Sequence, residues 1–581
     1  MQRKIIWLVV SCLMVLSLVL ASCTAATPEV TPKEGVTPKE EVTPKEEVTP
    51  KEEVVAPASD KPQYGGTITI DSIFDTRGHD QIYQTTGWAQ NFTQHLVNDR
   101  LLIGDWTKGF AGTGETDFVI AGWAPEGFMR DTGSLATSWE VPDDQTIIFH
   151  IRKGVYFQNK APVNGRQMTA EDVVNSIKYV YLNPDYPLTY NMLTAPGGLK
   201  LLSAELDPED RWTVIVKVEG ISWAFFEDLA VKGVHIIAQE SIDEKGNLKD
   251  WRDAVGTGGF ELTSYVPKSS FNFVRNPNYW MRNPLGPGEG DQLPYADAYT
   301  VLIIGDDSTA QSAFRTGKID TIGILSREIT YEDYQSILKT NPETQHAIFR
   351  DNMKSVGIRL STEDPLGIPL KNQRVRWALS MAIDRQAMID SLYGGEATMY
   401  QGFFPPSSPY YNTPTDMVEI LETKLNIPSE QAIMIEKIFE YNPAEAKKIL
   451  TEEGYPDGFK TEVITEPSQV DYLAVLAGYF ADIGVEMAID VRENTVYRSI
   501  IDQHNTKAML YYDSSWIGTN PAKWVYLGPG DPTMQFTTSN RWELSDPILD
   551  NYIQTANANY GKDLDAQAKL MQEAEAWVMW M

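Results

Sequence analysis

Length, composition and charge set the first limits on this chain. Its 581 residues are 42% hydrophobic and 11% aromatic, which is enough to build more than one core. The formal net charge of −31 argues against nucleic acid or anionic lipid headgroups as partners. It does not by itself indicate a cationic ligand, because an acidic surface also favours solubility.

The first residues have the pattern of a lipoprotein signal peptide. A basic start, Gln2-Arg3-Lys4, precedes an apolar run from Ile5 to Leu20, which is shorter than the roughly 20 residues of a membrane-spanning helix. The sequence Leu20-Ala21-Ser22-Cys23 resembles the lipobox of bacterial lipoproteins, whose cysteine becomes the lipidated first residue of the mature chain. We expect residues 1–22 to be removed and Cys23 to be lipidated; an ordinary signal peptide with a chance cysteine is the alternative.

Residues 23–62 predict a disordered tether. A TPKEEV unit repeats there with almost no large apolar side chains, so burial cannot offset the entropy of ordering. Regular prolines favour extended stretches, which would hold a folded body away from a surface. The chain has only two cysteines, Cys12 and Cys23, so the mature body has no disulfide and depends on packing.

The body begins with a predicted strand from Tyr64 to Ile70, where apolar residues alternate after a glycine pair. Residues Thr146 to Phe157 predict a hairpin around Arg152-Lys153-Gly154. Thr169 predicts a helix N-cap. The acids Glu171 and Asp172 and an apolar stripe follow it, with Val173, Ile177, Val180 and Tyr181 in the stripe.

Strands and helices alternate through the rest of the body. The predicted strands are Trp212 to Val218, Phe271 to Val274 and Val485 to Val491, and a strand, a helix and a strand are predicted between Tyr299 and Gly323. The predicted helices are Val375 to Leu392, Pro443 to Glu453 (ended by Gly454) and Tyr472 to Asp482. This mixture indicates the α/β fold class.

Five sequence blocks resemble the family-5 extracellular solute-binding proteins, which are the peptide, nickel and oligosaccharide receptors of bacterial and archaeal ABC importers. In order, they are LATSWEVPDDQTIIFHIRKGVYFQNKAPVNGRQMTAEDVVNSIKYVY, GTGGFELTSYVPKSSFNFVRNPNYW, ADAYTVLIIGDDSTAQSAFRTGKIDTIG, RVRWALSMAIDRQAMIDSLYGG and NPAEAKKILTEEGYPDGF. The resemblance implies a two-lobed periplasmic-binding-protein-like fold of type II with an extra subdomain, mixed sheets and a ligand cleft between the lobes.

The resemblance also implies a domain order. We expect lobe I at 63–300, with a subdomain inserted at about 96–210, lobe II at 301–535, and a return to lobe I at 536–581. Family members usually continue beyond such a helix, here AEAWVMWM, so we expect either that the last segment is truncated or that the lobe is completed differently. A shortened lobe would expose apolar surface around Trp577 and Trp580.

Several prominent residues predict structure rather than ligand contact. We interpret Asp172 as a helix-start acid, and Arg374, Arg376 and Asp384 as partners in ion pairs around a helix. The spacing of Gly256-Thr257-Gly258-Gly259 fits neither a dinucleotide loop nor a P-loop, so a tight turn before a strand is expected.

Specificity is expected in the late segment YYDSSWIGTNPAKWVYLGPG. Family members often carry Trp, two residues, then an aspartate that pairs with a peptide's amino group. Here Trp516 matches the tryptophan, but Thr519 and then Asn520 stand at the aspartate position. A neutral threonine cannot pair with an ammonium as a carboxylate does. Asp513 could substitute only if the chain path differs, so this departure weakens the peptide interpretation.

Aromatic side chains favour a neutral, hydroxyl-rich oligomer slightly over a peptide, because flat rings suit the apolar faces of sugars. Tryptophan in a large protein is nevertheless usually a packing residue. The candidate ligand residues are Trp516, Asp513, Thr519, Asn520, Trp524, Tyr511, Trp88 and Tyr83. Nickel is disfavoured because the six histidines are scattered, and no cofactor is predicted.

The expected function is a receptor anchored by lipid on the outer face of the cytoplasmic membrane. It would act as a monomer, capture an oligosaccharide or peptide by lobe closure, and deliver it to the permease subunits of an ABC importer. An anchored glycoside hydrolase is an alternative of another class, although HExxH, GxSxG and Walker A motifs are absent from the sequence. A receptor that signals to a sensor is the third.

Overall fold

A computed structural model gives the fold. It describes residues 61–73, 75–76, 79–80, 94–108, 112–113, 133–182, 201–221, 229, 234–243, 247–323, 327–348, 353–399, 402, 404, 410–514, 544, 546–559 and 563–581.

Within these ranges the strands and helices alternate along the chain. The strands are β1 (Thr67–Ser72), β2 (Ala136–Glu140), β3 (Thr146–Ile151), β4 (Leu201–Leu206), β5 (Thr213–Val218), β6 (Phe260–Val266), β7 (Ser270–Arg275), β8 (Ala298–Ile303), β9 (Met353–Ile358), β10 (Phe459–Thr465), β11 (Val485–Val491) and β12 (Met509–Ser514).

The helices are α1 (Ala170–Tyr181), α2 (Gln239–Asp243), α3 (Asp307–Arg315), α4 (Tyr331–Thr340), α5 (Gln373–Met381), α6 (Arg385–Tyr393), α7 (Pro414–Thr423), α8 (Ser429–Ala432), α9 (Met434–Lys437), α10 (Pro443–Glu452), α11 (Val470–Asp482), α12 (Asn494–Asp502), α13 (Pro547–Asn559) and α14 (Leu564–Trp580). Among the described residues, no helix is long and apolar enough to cross a membrane.

The described strands form three four-stranded sheets. The first sheet has the order β1-β8-β7-β6, the second β2-β3-β5-β4 and the third β11-β10-β12-β9. In the first sheet β1 and β8 are parallel, and in the third β10 is parallel to both β11 and β12. The second sheet is antiparallel throughout. Helices packed with mixed sheets confirm the α/β class.

Each sheet has its own apolar core. Residues of β1, β6, β7 and β8 form one cluster, and the second sheet packs with α1 in another. The third sheet is covered on both faces. Consecutive residues of β10 show this arrangement, because Val463 and Ile464 enter two different clusters. Since strand side chains alternate between faces, such a sheet needs apolar residues at both.

The helix α1 begins as its sequence predicts. The Asp172 carboxylate accepts hydrogen bonds from the backbone N–H of Thr169 at 2.8 Å and from its hydroxyl at 3.1 Å. Asp172 is therefore the helix-start acid that we expected, and it also pairs with Arg166 at 2.6 Å. The stripe residues Val173 and Ile177 are fully buried.

The predicted hairpin at residues 146–157 is wrong. Only its first half is a strand, β3, and it pairs with β2 on one side and with β5 on the other. The second half makes an isolated bridge between Tyr156 and Gln167. Alternation identifies a strand, but the partner is chosen by packing across distant parts of the chain.

Two other predicted elements differ in extent. The helix expected from Val375 to Leu392 is two helices, α5 and α6, because the side chain of Asp384 accepts a hydrogen bond from Ala387 N and starts a second helix. The strand expected before Gly323 is a single bridge between Ile70 and Thr321. The remaining predicted elements lie at the expected places, and β6 begins directly after the Gly256–Gly259 turn.

The basic residues around α5 have different partners from one another. Arg374 makes the expected ion pairs, with Glu452 and, at 3.2 Å, with Glu453. Arg376 instead donates to the backbone carbonyls of Leu370 and Met581. In place of the predicted ion pairs, Arg376 donates to backbone carbonyl oxygens and Asp384 caps the start of α6.

The last two helices, expected to return to lobe I, pack on the third sheet. Leu549 and Ile553 of α13 share a cluster with Ile464 of β10, and Ala576 of α14 enters the cluster on the opposite face. The buried Glu575 carboxylate accepts hydrogen bonds from Phe404 N at 3.1 Å and Asn412 Nδ2 at 2.8 Å. Trp577 and Trp580 are half-buried against these clusters.

Candidate functional site at the strand ends of two sheets

The carboxyl ends of parallel strands are where open α/β sheets bind ligands. In the first sheet these ends are Ser72 of β1 and Ile303 of β8, and in the third they are Thr465, Val491 and Ser514. The chains leaving β1 and β12 carry most of the predicted ligand residues. We therefore take these two edges as the candidate functional site.

At the first sheet, the chain after β1 is held by carboxylates. Asp75 accepts hydrogen bonds from the Tyr265 hydroxyl at 2.9 Å and from Lys268 N at 2.7 Å. Asp80 accepts from the Tyr179 hydroxyl at 2.7 Å and from Leu248 N at 2.9 Å. The segment that leads to the predicted ligand residues is thus fixed to the first sheet and to α1.

A buried histidine lies between these two anchors. The His79 ring is 5.1 Å from the Tyr265 ring and 6.2 Å from the Phe271 ring, in edge-on contact with both. Burial lowers the pKa of His79 to about 4, although Asp75 and Asp250 oppose the shift. His79 is therefore neutral at physiological pH and belongs to the packing of the segment.

At the third sheet, Tyr511 is the predicted ligand residue whose side chain the structure describes. It is only 1% exposed, lies in the apolar cluster of one sheet face, and its ring is 5.9 Å from that of Tyr472. The Tyr497 hydroxyl donates to the Tyr511 carbonyl. Burial raises the pKa of Tyr472 to about 12. Tyr511 therefore belongs to the apolar core that packs beneath the end of β12.

The other predicted residues are placed only in part. Asp513 lies on β12, with its backbone opposite Lys354 of β9. Residues Cys23, Tyr83, Trp88, Trp516, Thr519, Asn520 and Trp524 lie outside the described residues. Their roles remain predictions.

Two consecutive residues connect the two edges, and the sequence did not single them out. Arg327 Nε donates to Asp71 Oδ2 of β1 at 2.6 Å, and its guanidinium also donates to Asp307 and to the Ile304 carbonyl. Glu328 accepts from Lys354 Nζ of β9 at 2.5 Å. In the sequence, an adjacent Arg and Glu look the same as any other pair of charged surface residues.

Gln469 completes this arrangement at the third sheet. Its amide donates to Glu328 Oε2 at 3.2 Å and accepts from Lys354 Nζ at 3.2 Å, so the three side chains close a triangle. Gln469 is only 3% exposed and directly precedes α11. Such an arrangement can hold two sheet edges together.

Among the described residues, no group of three or more His, Cys, Asp or Glu side chains is placed to hold a metal ion.

Known proteins resemble the chain over most of its length. The family model described as "Bacterial extracellular solute-binding proteins, family 5 Middle" matches residues 132–535. The chain is 26% identical over 467 residues to heme-binding protein A of Haemophilus influenzae, covering 77% of this chain and 76% of that protein. It is 24% identical over 423 residues to the glutathione-binding protein GsiB of Salmonella choleraesuis, covering 71% and 72%.

The fold matches solved two-lobe binding proteins. The periplasmic binding protein DppA of Helicobacter pylori, solved in complex with the peptide STSA, superposes with a TM-score of 0.61 at 20% identity, covering 89% of this chain and 91% of that one. This similarity confirms the two-lobed periplasmic-binding-protein fold with mixed sheets.

Proposed function

Because this chain belongs to the bacterial extracellular solute-binding proteins of family 5, the receptors of ABC importers, we propose that its ligand is a peptide-type solute. The observation that carries the proposal is the family match over residues 132–535. Proteins of this family bind solutes outside the cytoplasm and are not enzymes. Capture would occur between the lobes, and the loaded receptor would then deliver the solute to the membrane subunits of its importer.

The relatives favour a peptide over the oligosaccharide that the aromatic residues suggested. One relative is named for glutathione, which is a small peptide, and one solved neighbour holds the peptide STSA. None of the relatives described above is named for a sugar. The relative named for heme indicates that ligand class varies among similar chains. Peptide-type solutes are therefore the first class to test.

Thr519 places a chemical limit on this proposal. A peptide's ammonium group buried in a cleft needs an acceptor, and a threonine hydroxyl supplies no compensating charge. A peptide ligand would then have its amino group paired elsewhere, with Asp513 as the nearest acid in sequence. Trp516, Asn520, Trp524, Trp88 and Tyr83 remain the other proposed contacts. Tyr511 is withdrawn from this set, because its side chain is buried in the core beneath β12.

The mechanism is a shift in population. A ligand that contacts both lobes binds more tightly to one lobe arrangement, and it shifts the equilibrium by that difference in affinity. The importer would recognise the arrangement that the ligand stabilises. No bond in the ligand has to break, so recovery of intact ligand separates this receptor from an anchored glycoside hydrolase.

A thermal-shift screen tests the proposal. Di- to pentapeptides, glutathione, heme and oligosaccharides would be added to the protein, and a ligand at one hundred times its Kd should add about 2.7 kcal/mol of stability. We expect peptides to raise the unfolding temperature and to be recovered unchanged by mass spectrometry. A shift with oligosaccharides alone, or conversion of the ligand, would contradict the proposal.

A substitution at Trp516 tests the proposed position of the ligand site. Trp516→Ala should weaken peptide affinity without lowering the unfolding temperature of the free protein. Trp212→Ala is the matched control, because Trp212 packs at the rim of the second sheet, with Lys153 and Arg211 near its ring. Equal affinities for the wild type and Trp516→Ala would remove Trp516 from the proposed contacts.

We also propose that Cys23 carries the lipid that keeps the receptor at the membrane. Cys23→Ser should move the protein from the membrane fraction to the soluble fraction of cells. Cys12→Ser should leave it membrane-bound, because Cys12 lies within the signal peptide that is removed. Neighbouring genes separate the two partner classes: permease and ATPase genes for import, a histidine kinase or chemoreceptor gene for sensing.

A further inference from the structure

Arg327 and Glu328 are adjacent in sequence, yet their side chains bind different sheets. Arg327 contacts only first-sheet partners among its described bonds: Asp71 of β1, Asp307 of α3 and the Ile304 carbonyl that follows β8. Glu328 bonds with Lys354 of β9 and with Gln469, which follows β10 of the third sheet. The two residues therefore form a link between the lobes built on these sheets.

The two halves of the link differ in exposure. The side chains of Arg327 and Asp71 are 1% and 2% exposed, whereas those of Lys354 and Glu328 are 21% and 46% exposed. Breaking a buried ion pair leaves an uncompensated charge away from water and is strongly unfavourable. Breaking a partly exposed pair costs less, about 1 kcal/mol or below, because water reaches both side chains.

The positions of these contacts couple them to lobe movement. Ile304 N donates to the Ser72 carbonyl at 2.9 Å, so the Arg327 partners form one rigid unit at the end of β1 and β8. Lys354 is the second residue of β9, and its backbone lies opposite Asp513 near the end of β12. If Glu328 follows its neighbour Arg327, a movement of one sheet edge relative to the other changes the distance between Glu328 and Lys354.

We propose that Arg327 and Glu328 form an interlobe latch, in which Arg327 stays fixed to the first sheet while the Glu328–Lys354 pair forms in one lobe arrangement and separates in another. This inference rests on the proposed function, capture by lobe movement. The latch biases the lobe equilibrium, and through it the apparent ligand affinity, since that affinity scales with the population of the competent arrangement.

The test measures lobe distance in the ligand-free protein. Spin labels would be placed at Ser269, on the exposed β6–β7 turn of the first sheet, and at Lys447, on the exposed face of α10 beside the third sheet. The full chain would carry Cys12→Ser and Cys23→Ser, which leaves no native cysteine to be labelled. Double electron–electron resonance then gives the distribution of distances between the two labels.

Neutralising Glu328 or Lys354 should lower the population of the lobe arrangement in which the two side chains pair. We expect Glu328→Gln and Lys354→Gln each to reduce the corresponding distance component at least twofold. The exchanged pair, Glu328→Lys with Lys354→Glu, should restore at least half of it. Glu363→Gln is the matched control: Glu363 pairs with Lys371 at 2.6 Å, and both residues lie within the lobe built on the third sheet.

The outcomes separate the latch from the proposed function. Distributions of Glu328→Gln and Lys354→Gln that superpose on the wild type would overturn the latch, even if peptides bind. An exchanged pair that is as altered as the single variants would also overturn it, because the latch is electrostatic. Failure of every ligand class in the thermal screen would instead refute peptide capture, while the ligand-free distance measurement would still report on the latch.

Discussion

The buried ion pair between Arg327 and Asp71 gives the sharpest stability prediction. Replacing Arg327 by Met would keep much of the aliphatic stem but remove the guanidinium from a side chain that is 1% exposed. The Asp71 carboxylate, 2% exposed, would lose its partner at 2.6 Å, and the Ile304 carbonyl would lose a donor. Removing one partner of a buried pair costs about 3–5 kcal/mol, so we expect a loss in that range.

The reverse substitution should cost less. In Asp71→Asn, Arg327 keeps its bonds to Asp307, which is 74% exposed, and to the Ile304 carbonyl. The expected loss is about 1.5–3 kcal/mol, typical of a hydrogen bond to a charged group. Because both single variants remove the same contact, the double variant should be at least about 1 kcal/mol more stable than the sum of the two losses predicts.

Urea unfolding followed by tryptophan fluorescence and circular dichroism measures these differences. The transitions followed by fluorescence and by circular dichroism have to coincide before a single free energy of unfolding is assigned. Lys460→Met is the matched control, because Lys460 and Glu486 form an ion pair in which both side chains are 71% exposed, and such pairs contribute less than about 1 kcal/mol. An Arg327→Met loss no larger than the Lys460→Met loss would refute the reasoning.

Three further substitutions test other parts of the fold. Gly258→Ala should destabilise by about 2–4 kcal/mol, because its Cβ would lie 2.6–2.8 Å from backbone atoms, while Gly220→Ala, with no atom within 4 Å, should be tolerated in the same urea assay. Gly478→Ala, exposed on α11 with free space around the new carbon, should stabilise by about 0.5–1 kcal/mol in thermal unfolding. Burial raises the pKa of Asp550 to about 6, so the contribution of Asp550 to stability should fall by about 1–2 kcal/mol as pH rises from about 4 to 6; Asp550→Asn should change the pH dependence of stability by that amount and the exposed Asp565→Asn should not.

Local chemistry explains which elements the sequence predicts well. The start of α1 follows from Thr169 and Asp172, because the cap and the acid bond to each other within one turn. The end of α10 follows from Gly454, whose φ of +93° suits a residue without a side chain. These features depend on residues a few positions apart, so the sequence contains all of the relevant information.

The failures have two different origins. The break between α5 and α6 is local but contains neither Gly nor Pro; Asp384 caps α6 there through Ala387 N, and Arg385 donates to the Ser380 carbonyl at 3.0 Å. The partner of β3 on its long-range side is β5, from Thr213 to Val218. Hydrophobic alternation does not encode such pairings, so the predicted hairpin at residues 146–157 chose the nearest partner in sequence.

The candidate site divides in the same way. Motif spacing selected Trp516 and Thr519 by resemblance, but it passed over Arg327, Glu328 and Lys354, whose importance appears only when β1 and β9 are placed in space. Charged residues make up 22% of the chain, so an Arg-Glu pair has no distinguishing pattern. Burial supplies the distinction, since only the fold shows that the Arg327 side chain is 1% exposed.

The adjacency of Arg327 and Glu328 separates stability from lobe equilibrium at neighbouring positions. A buried pair contributes strongly to the free energy of unfolding because its loss leaves a charge without solvent, whereas a partly exposed pair contributes about 1 kcal/mol or less, which is enough to bias a lobe equilibrium. Substitution of Glu328 should therefore change the lobe distances without shifting the urea midpoint. Substitution of Arg327 should lower the midpoint and also release Glu328 from its fixed position. A receptor that moves its lobes needs both properties, because the link has to survive many cycles of movement at one end and yield easily at the other.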